Sequence, residues 1–219
     1  MTECDFCDEL SGGQRNAYAN RYGPRAPNRE LFSDRVFRIL PTLGQLTEGH
    51  LLVVPSRHLT SMGDLTPYEL SQLEAICDSV RCVLLEAYGQ ALFFEHGIRG
   101  AGSGGCGIEH AHLHAVPVAG DGVLDILARE FGGCAIHGLA NIKDAVKEES
   151  SYLFLEDSSA TRYVFPVTEL PSQYMRRLVA NSIGKSDWDW RKCGQEPELI
   201  ATLERLAPLF SPAAIVPGE

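Results

Sequence analysis

No apolar run in this chain approaches the roughly 20 residues of a membrane-spanning helix, so a helical membrane protein is not expected. Positive charge is scarce. Lys and Arg number 19 against 29 Asp and Glu, for a formal net charge of −10. Binding to long nucleic acid by bulk electrostatics needs a cationic surface and is not expected either. A small anionic substrate would need local positive groups. The first residues, Met1-Thr2-Glu3-Cys4-Asp5, are acidic and lack the apolar stretch of a secretory signal. Seven cysteines, an odd number beside that start, are expected as reduced thiols in a cytoplasmic protein, not as a disulfide framework. No Gly- or Ser-rich linker separates an independent domain. What is present is ordinary for a soluble globular chain. Apolar residues make up 44% and charged residues 22% of 219, enough for one large domain or a domain with an extension.

The most informative stretch is Gly104 to Pro117, which holds His110, His112 and His114 alternating with Ala111, Leu113 and Ala115. Alternation of this kind predicts a half-buried strand, with the three imidazoles on one face about 7 Å apart. A row of histidines is a poor choice for plain structure, because each ring brings polar nitrogens and a charge that changes near neutral pH. Three readings follow: chance, a three-histidine metal site, and a nucleophilic histidine with helpers.

Other elements are readable. Arg35–Leu40, His50–Pro55 and Ala91–Gly97 read as strands. Leu65-Thr66-Pro67-Tyr68-Glu69-Leu70 opens a helix, with Thr66 as N-cap, Pro67 in the first turn and Glu69 closing a capping box. Leu70, Leu73, Ile76, Cys77, Val80, Leu84 and Ala87 continue it at helical spacing to Gly89. Cys77 and Cys82 are read as inert. Residues 11–30 are rich in Gly, Pro, Asn and Arg and read as irregular surface loop. Cys4-Asp5-Phe6-Cys7 is a redox pair, half a zinc site, or chance, and its acidic neighbours disfavour a thiolate. Gly97 to Gly107 holds six glycines, a composition that brings backbone N–H groups close to an anion. It is no Walker A loop, since no Gly-Lys-Ser/Thr follows.

His110-Ala-His112-Leu-His114-Ala-Val resembles the signature of the histidine triad (HIT) superfamily of nucleotide hydrolases and transferases. Glu48-Gly49-His50 through His58 resembles a second block of the same superfamily, and the glycine-rich loop occupies the place of its phosphate cradle. The resemblance covers about the first 120 residues. It implies an α+β fold, HIT-like, in which one long helix packs on an antiparallel sheet. Residues 1–120 would be the catalytic core. Residues 121–219 would form a C-terminal α/β extension of two or three helices and a β-hairpin, packed on the core.

By the same resemblance His112 is the nucleophile that forms a covalent nucleotidyl-histidine. His114 donates to the phosphate or bridging oxygen, and His50 joins the polar cluster. Ser103, Gly105, Cys106 and Gly107 are the substrate-binding candidates, although Cys106 and Ile108-Glu109 depart from the commoner Gln/Ser form. In zinc-bearing members the ligands match Cys4, Cys7, His58 and His110, which implies a structural Zn2+ with no open position. Uridylyltransferase-like members carry Gln where this chain has His114, so the chain looks more like the hydrolase branches. The implied substrate is a small nucleotide: a nucleoside 5′-phosphate joined to a second nucleotide, an amine, an acyl group or a sugar phosphate. A homodimer is implied as well.

In the extension, Val123–Phe131 and Asn141–Glu149 read as short helices, and Tyr152–Glu156 and Arg162–Val167 as a hairpin that packs on or extends the sheet. A helix capped near Ser172 and a last one over Pro197–Phe210 follow, then a frayed tail over 211–219. Gln173, Arg176, Arg177 and Arg191 could bind phosphate or sugar, and Tyr152 or Trp190 could stack on a base. Alternatively the tryptophans fill core and the arginines are solvated. Transfer to an acceptor other than water (a nucleotidyltransferase or phosphorylase), a zinc hydrolase using all three histidines as ligands, and a non-enzymatic nucleotide-binding module remain as other functions.

Overall fold

A computed structural model describes residues 4–23, 28–99, 107–146, 151–194 and 196–210. Among them eight strands form one antiparallel sheet: β1 (Phe32–Ser33), β2 (Phe37–Pro41), β3 (Leu51–Pro55), β4 (Leu92–Gly97), β5 (Leu113–Val116), β6 (Cys134–Ile136), β7 (Ser151–Glu156) and β8 (Arg162–Val167). Their spatial order is β1-β2-β3-β5-β4-β7-β8-β6. The hairpin expected from sequence is β7–β8. It extends the sheet, because β7 pairs with β4 from Phe93↔Glu156 to Gly97↔Tyr152.

One face of the sheet is covered by α3 (Pro67–Ala87). The capping box between Thr66 and Glu69 starts this helix as the sequence predicts. Its buried stripe, Leu70, Leu73, Ile76, Cys77, Val80 and Leu84, joins one core with Leu51, Val53, Phe93, Leu113 and Ala115 from the strands. Each Leu, Ile, Val or Phe side chain there contributes about 1.5–3 kcal/mol on burial.

The opposite face carries the alternate strand residues and is covered by the two ends of the chain. α1 (Asp5–Leu10) lays Phe6 on Leu40, Leu52 and Val54. α4 (Val123–Phe131) and α6 (Tyr174–Ser182) bury Val123, Leu127, Met175 and Val179 against Phe94, Leu153 and Phe165. α7 (Glu196–Leu206) instead buries Leu206 in the α3-side core, and its Thr202 accepts from the backbone N–H of Gly49 at 2.8 Å and donates to Gln45 Oε1 at 2.7 Å.

Several local expectations are corrected. Residues 11–30 are not loop throughout. Asn16 caps α2 (Ala17–Tyr22), accepting from the Ala19 N–H at 2.8 Å, and Tyr18 is buried beneath the Arg29 guanidinium. α6 begins at Tyr174 with Gln173 in the N-cap position, next to the expected Ser172; the Gln173 side chain makes no capping bond and is held instead by Asp189 and the Trp190 N–H. The helix expected over Asn141–Glu149 is α5 (Ile142–Ala145), with residues 147–150 outside the described residues. The three-residue strand β6 has no alternation long enough to announce it. The tail 211–219 also lies outside the described residues.

Candidate active site

The histidine strand is shorter than its alternation suggests. β5 begins at Leu113, and His110 to His112 approach it in a bent segment whose Ala111 N–H donates to Leu59 O at 2.6 Å. Ala111, Leu113 and Ala115 still point into the α3 core. The three histidines therefore leave the sheet in two groups.

His112 and His114 line a pocket on the face opposite α3, with ring centroids 5.0 Å apart. Two chains of hydrogen bonds set their protons. A carbonyl oxygen only accepts, so the 2.6 Å contact of His112 Nδ1 with His110 O places the proton on Nδ1 and leaves Nε2 with a free lone pair. The Leu46 N–H donates to His50 Nδ1 at 3.3 Å, which places the His50 proton on Nε2; that proton is donated to His114 Nδ1 across 2.8 Å. His114 then carries its own proton on Nε2. Phe94 stacks on the His114 ring at 4.3 Å, and Phe6 meets the His112 ring edge-on at 5.5 Å.

Burial holds these rings neutral. It depresses the His112 pKa to about 4, with the charges of His110, Arg176 and His96 adding to the effect. His50 and His114 are pushed well below the usual imidazole value, again chiefly by burial. A row of neutral imidazoles with defined tautomers offers one free nucleophilic nitrogen and one N–H donor.

His110 turns the other way. Its Nε2–H donates to Pro55 O at 2.9 Å, so Nδ1 is free to act as a ligand, and this atom lies 3.4 Å from Cys4 Sγ and 3.6 Å from Cys7 Sγ. His58 Nδ1 lies 3.4 Å from Cys7 Sγ. All four donor atoms fall within 4.8 Å of one another. Tetrahedral zinc with bonds of about 2.3 Å to sulfur and about 2.0–2.1 Å to nitrogen requires S···N edges of about 3.5 Å. The Cys₂His₂ set fits zinc on donor chemistry and spacing. Cys4 also caps α1, whose first turn carries the second cysteine, so the spacing of the pair is set by the helix. Burial and the neighbouring Cys4 raise the Cys7 pKa to about 11 without a cation, which makes Cys7 a thiol until one binds. Because His110 joins the cysteines while His50 and a backbone carbonyl occupy the Nδ1 atoms of His114 and His112, the three strand histidines do not converge on a common point.

Of the loop candidates, Gly107 lines the pocket, and its carbonyl accepts from Arg191 Nη2 at 2.9 Å. Ser103, Gly105 and Cys106 lie outside the described residues. In the extension, Gln173, Arg176 and Trp190 line the pocket. Arg177 lies over the Tyr174 ring, and Tyr152 is core, its hydroxyl donating to buried Glu95 at 2.6 Å. Tyr152 therefore presents no face for stacking on a base.

Among the pocket residues that the sequence reading did not single out, one is titratable and half-buried beside the triad. His96 on β4 lines the pocket, and burial lowers its pKa to about 4. His96 is two residues past Phe94, which pairs with His114, so its side chain leaves β4 on the same face as Phe94 and reaches the pocket. Alternation within Phe94-Glu95-His96 was the available signal, but nothing local to β4 says which strand it faces.

Comparison with known proteins adds the following. Residues 26–120 match the family model of the HIT domain. A zinc-bound histidine triad family protein from Mycobacterium smegmatis is similar at 24% identity and TM-score 0.37, over 55% of this chain and 78% of that one. A HIT family member from Bacillus subtilis is similar at 21% identity and TM-score 0.41, over 55% and 76%. A HIT family hydrolase from Legionella pneumophila is similar at 22% identity and TM-score 0.36, over 52% and 91%. No curated protein matches the chain.

Proposed function

We propose, from the match of residues 26–120 to the HIT domain family model and from the geometry of the pocket, that the chain hydrolyses a small nucleotide through a nucleotidyl-His112 intermediate. The observation that carries the reading is the 2.6 Å contact of His112 Nδ1 with His110 O, which leaves Nε2 unprotonated in the pocket. In the first step the Nε2 lone pair forms a P–N bond to the nucleoside 5′-phosphate, and the bond from phosphorus to the leaving group breaks. The proton on His114 Nε2 stabilises the departing atom or a phosphate oxygen. In the second step water forms a P–O bond, the P–N bond breaks, and its electron pair returns to Nε2. The attacking water releases one proton to solvent, the departing group takes one up as its own basicity requires, and the His114 Nε2 proton stays on its ring throughout. His50 orients His114 and does not touch substrate. Gly107, with Ser103, Gly105 and Cys106, belongs to the phosphate cradle in this reading.

Residues 1–120 are the catalytic core and 121–219 the extension. Cys4, Cys7, His58 and His110 hold a structural zinc that ties the N-terminus to the segment bearing His112, and no chemical step passes through it. The protein is cytoplasmic and a homodimer in this proposal. A dinucleoside polyphosphate, a phosphoramidate, an acyl nucleotide or a nucleotide sugar would each supply a suitable leaving group. Transfer to a different acceptor uses the same intermediate and differs only in the second step. Turnover of such a panel in 18O-labelled water separates the two. Label in the nucleoside monophosphate marks hydrolysis, label-free product with a new conjugate marks transfer, and turnover unaffected by His112→Ala would overturn both.

A further inference from the structure

The HIT-matching residues put little free positive charge into the pocket. The histidines are held neutral, chiefly by burial. Arg29 lines the pocket, but its charge is matched by Glu9 at 2.6 Å. The extension supplies something different. Arg176, on α6, lines the same pocket and is only 4% exposed. Its Nε donates to Trp188 O at 2.9 Å, and its Nη2 donates to Gly44 O. Among the described residues its Nη1 is buried with no hydrogen-bond partner.

A buried guanidinium with an unused N–H is costly unless something accepts from it. No carboxylate among the described residues makes a hydrogen bond or ion pair with this group; Asp189 acts on it only at longer range, its own oxygens engaging Gln173, Arg191 and Lys192. Burial lowers its pKa to about 10, so it remains a cation at neutral pH. That charge is close enough to depress the pKa values of His50, His112 and His114 together.

The clasp that holds it is built for the purpose. Gly44 has φ +58, and a Cβ there would come within 2.6 Å of the Trp190 Cα, so glycine is needed for this approach. Arg21 on α2 grips the carbonyls of Trp190, Arg191 and Cys193 at 3.0–3.2 Å. The roof over the histidines is thus fixed from both ends of the chain.

We infer that Arg176 is a substrate-binding residue supplied by the extension, whose free Nη1 donates to a phosphoryl oxygen of a phosphate ester or anhydride seated beside His112. The extension is then part of the active site, and the substrate is one whose phosphate reaches α6. This inference rests on the reading of the pocket as a nucleotide site.

The test is calorimetric titration of inorganic pyrophosphate into the full chain and its Arg176→Gln and Arg176→Lys variants. Neither replacement can bridge the Trp188 and Gly44 carbonyls as the guanidinium fork does, and only Lys keeps the positive charge, so loss of the clasp alone would weaken both. The expected result is binding weakened roughly 10- to 100-fold in Arg176→Gln, from the loss of a charged hydrogen bond, and a clearly smaller loss in Arg176→Lys. Equal weakening in the Gln and Lys variants would make Arg176 a clasp only. Wild-type binding in Arg176→Gln, or no binding by the wild type, would overturn the inference outright. Absence of a nucleotidyl adduct on His112, with pyrophosphate binding still dependent on Arg176, would sink the proposed reaction and leave the anion site standing.

Discussion

His50 and His114 face each other across β3 and β5, with His50 Nε2 donating to His114 Nδ1 at 2.8 Å. This contact decides which nitrogen of His114 keeps a proton for the pocket. His50 does not itself line that pocket, and its own tautomer is set by the Leu46 N–H. His50→Leu should therefore lower kcat by about tenfold, the worth of one buried hydrogen bond, with little change in KM. His50→Gln places an amide N–H near the same point and should recover most of the loss. Steady-state kinetics of the three proteins check this, and a change confined to KM would contradict it.

The pH profile should lack the usual histidine titration. Burial lowers the His112 pKa to about 4, so its lone pair stays available far below neutrality. Protonation removes the nucleophile, which means activity falls only as pH drops toward that value. The predicted log(kcat/KM) is flat between about pH 8 and about pH 5.5, on zinc-replete protein. An acid limb centred near the ordinary imidazole value of about 6.5 would show that His112 is not held as described.

Zinc should be found with the protein in stoichiometric amount by elemental analysis. The cluster ties residues 4 and 7 to 58 and 110. A cross-link closing loops of such length is worth about 2–4 kcal/mol, which for a chain of this size corresponds to roughly 5–15 °C. Chelation or Cys7→Ser should lower the melting temperature by an amount in that range. Turnover per folded molecule should fall far less, since no step uses the metal. Complete loss of turnover in a chelated protein that is still folded would favour a metallohydrolase.

Glu95 tests the interior beneath the sheet. It is 1% exposed, accepts from Tyr152 and the Met62 N–H, and burial raises its pKa from 4.5 to about 7. A carboxyl with a raised folded-state pKa contributes stability below its unfolded value, and that contribution is lost as pH rises through the folded value. Chemical denaturation should show wild-type stability falling between about pH 4.5 and about pH 7 relative to Glu95→Gln. A parallel pH dependence in the two proteins would contradict the assignment.

Much of this architecture is written locally. The capping box at Thr66 and the apolar spacing after it define α3, and Tyr152–Glu156 and Arg162–Val167 read as the β7–β8 hairpin because two apolar runs flank the turn cluster Asp157-Ser158-Ser159-Ala160. The triad, Cys4 and Cys7, His50 and His58 are legible as motifs, and the structure gathers them into two neighbouring clusters joined by Phe6. What the sequence hides depends on distant pairing. His96 acquires its place only through the β4–β5 register. Tyr152 looks like a stacking platform until β7 pairs with β4 and turns its ring into the core. The division of His110 from its two neighbours is invisible in a regular alternation, since the bend before Leu113 follows from Ala111 pairing with Leu59 and from the pull of the cysteine cluster.

The central claim is a covalent bond from phosphorus to His112 Nε2. Intact-protein mass spectrometry after an acid-free quench, across a panel of phosphoramidates, dinucleoside polyphosphates and nucleotide sugars, tests it most directly. The account predicts a mass gain of one nucleotidyl group in the wild type, mapped by peptide analysis to the segment bearing His112 and absent from His112→Ala. Turnover by the wild type with no adduct on any quench timescale, or an adduct that persists in His112→Ala, would contradict it.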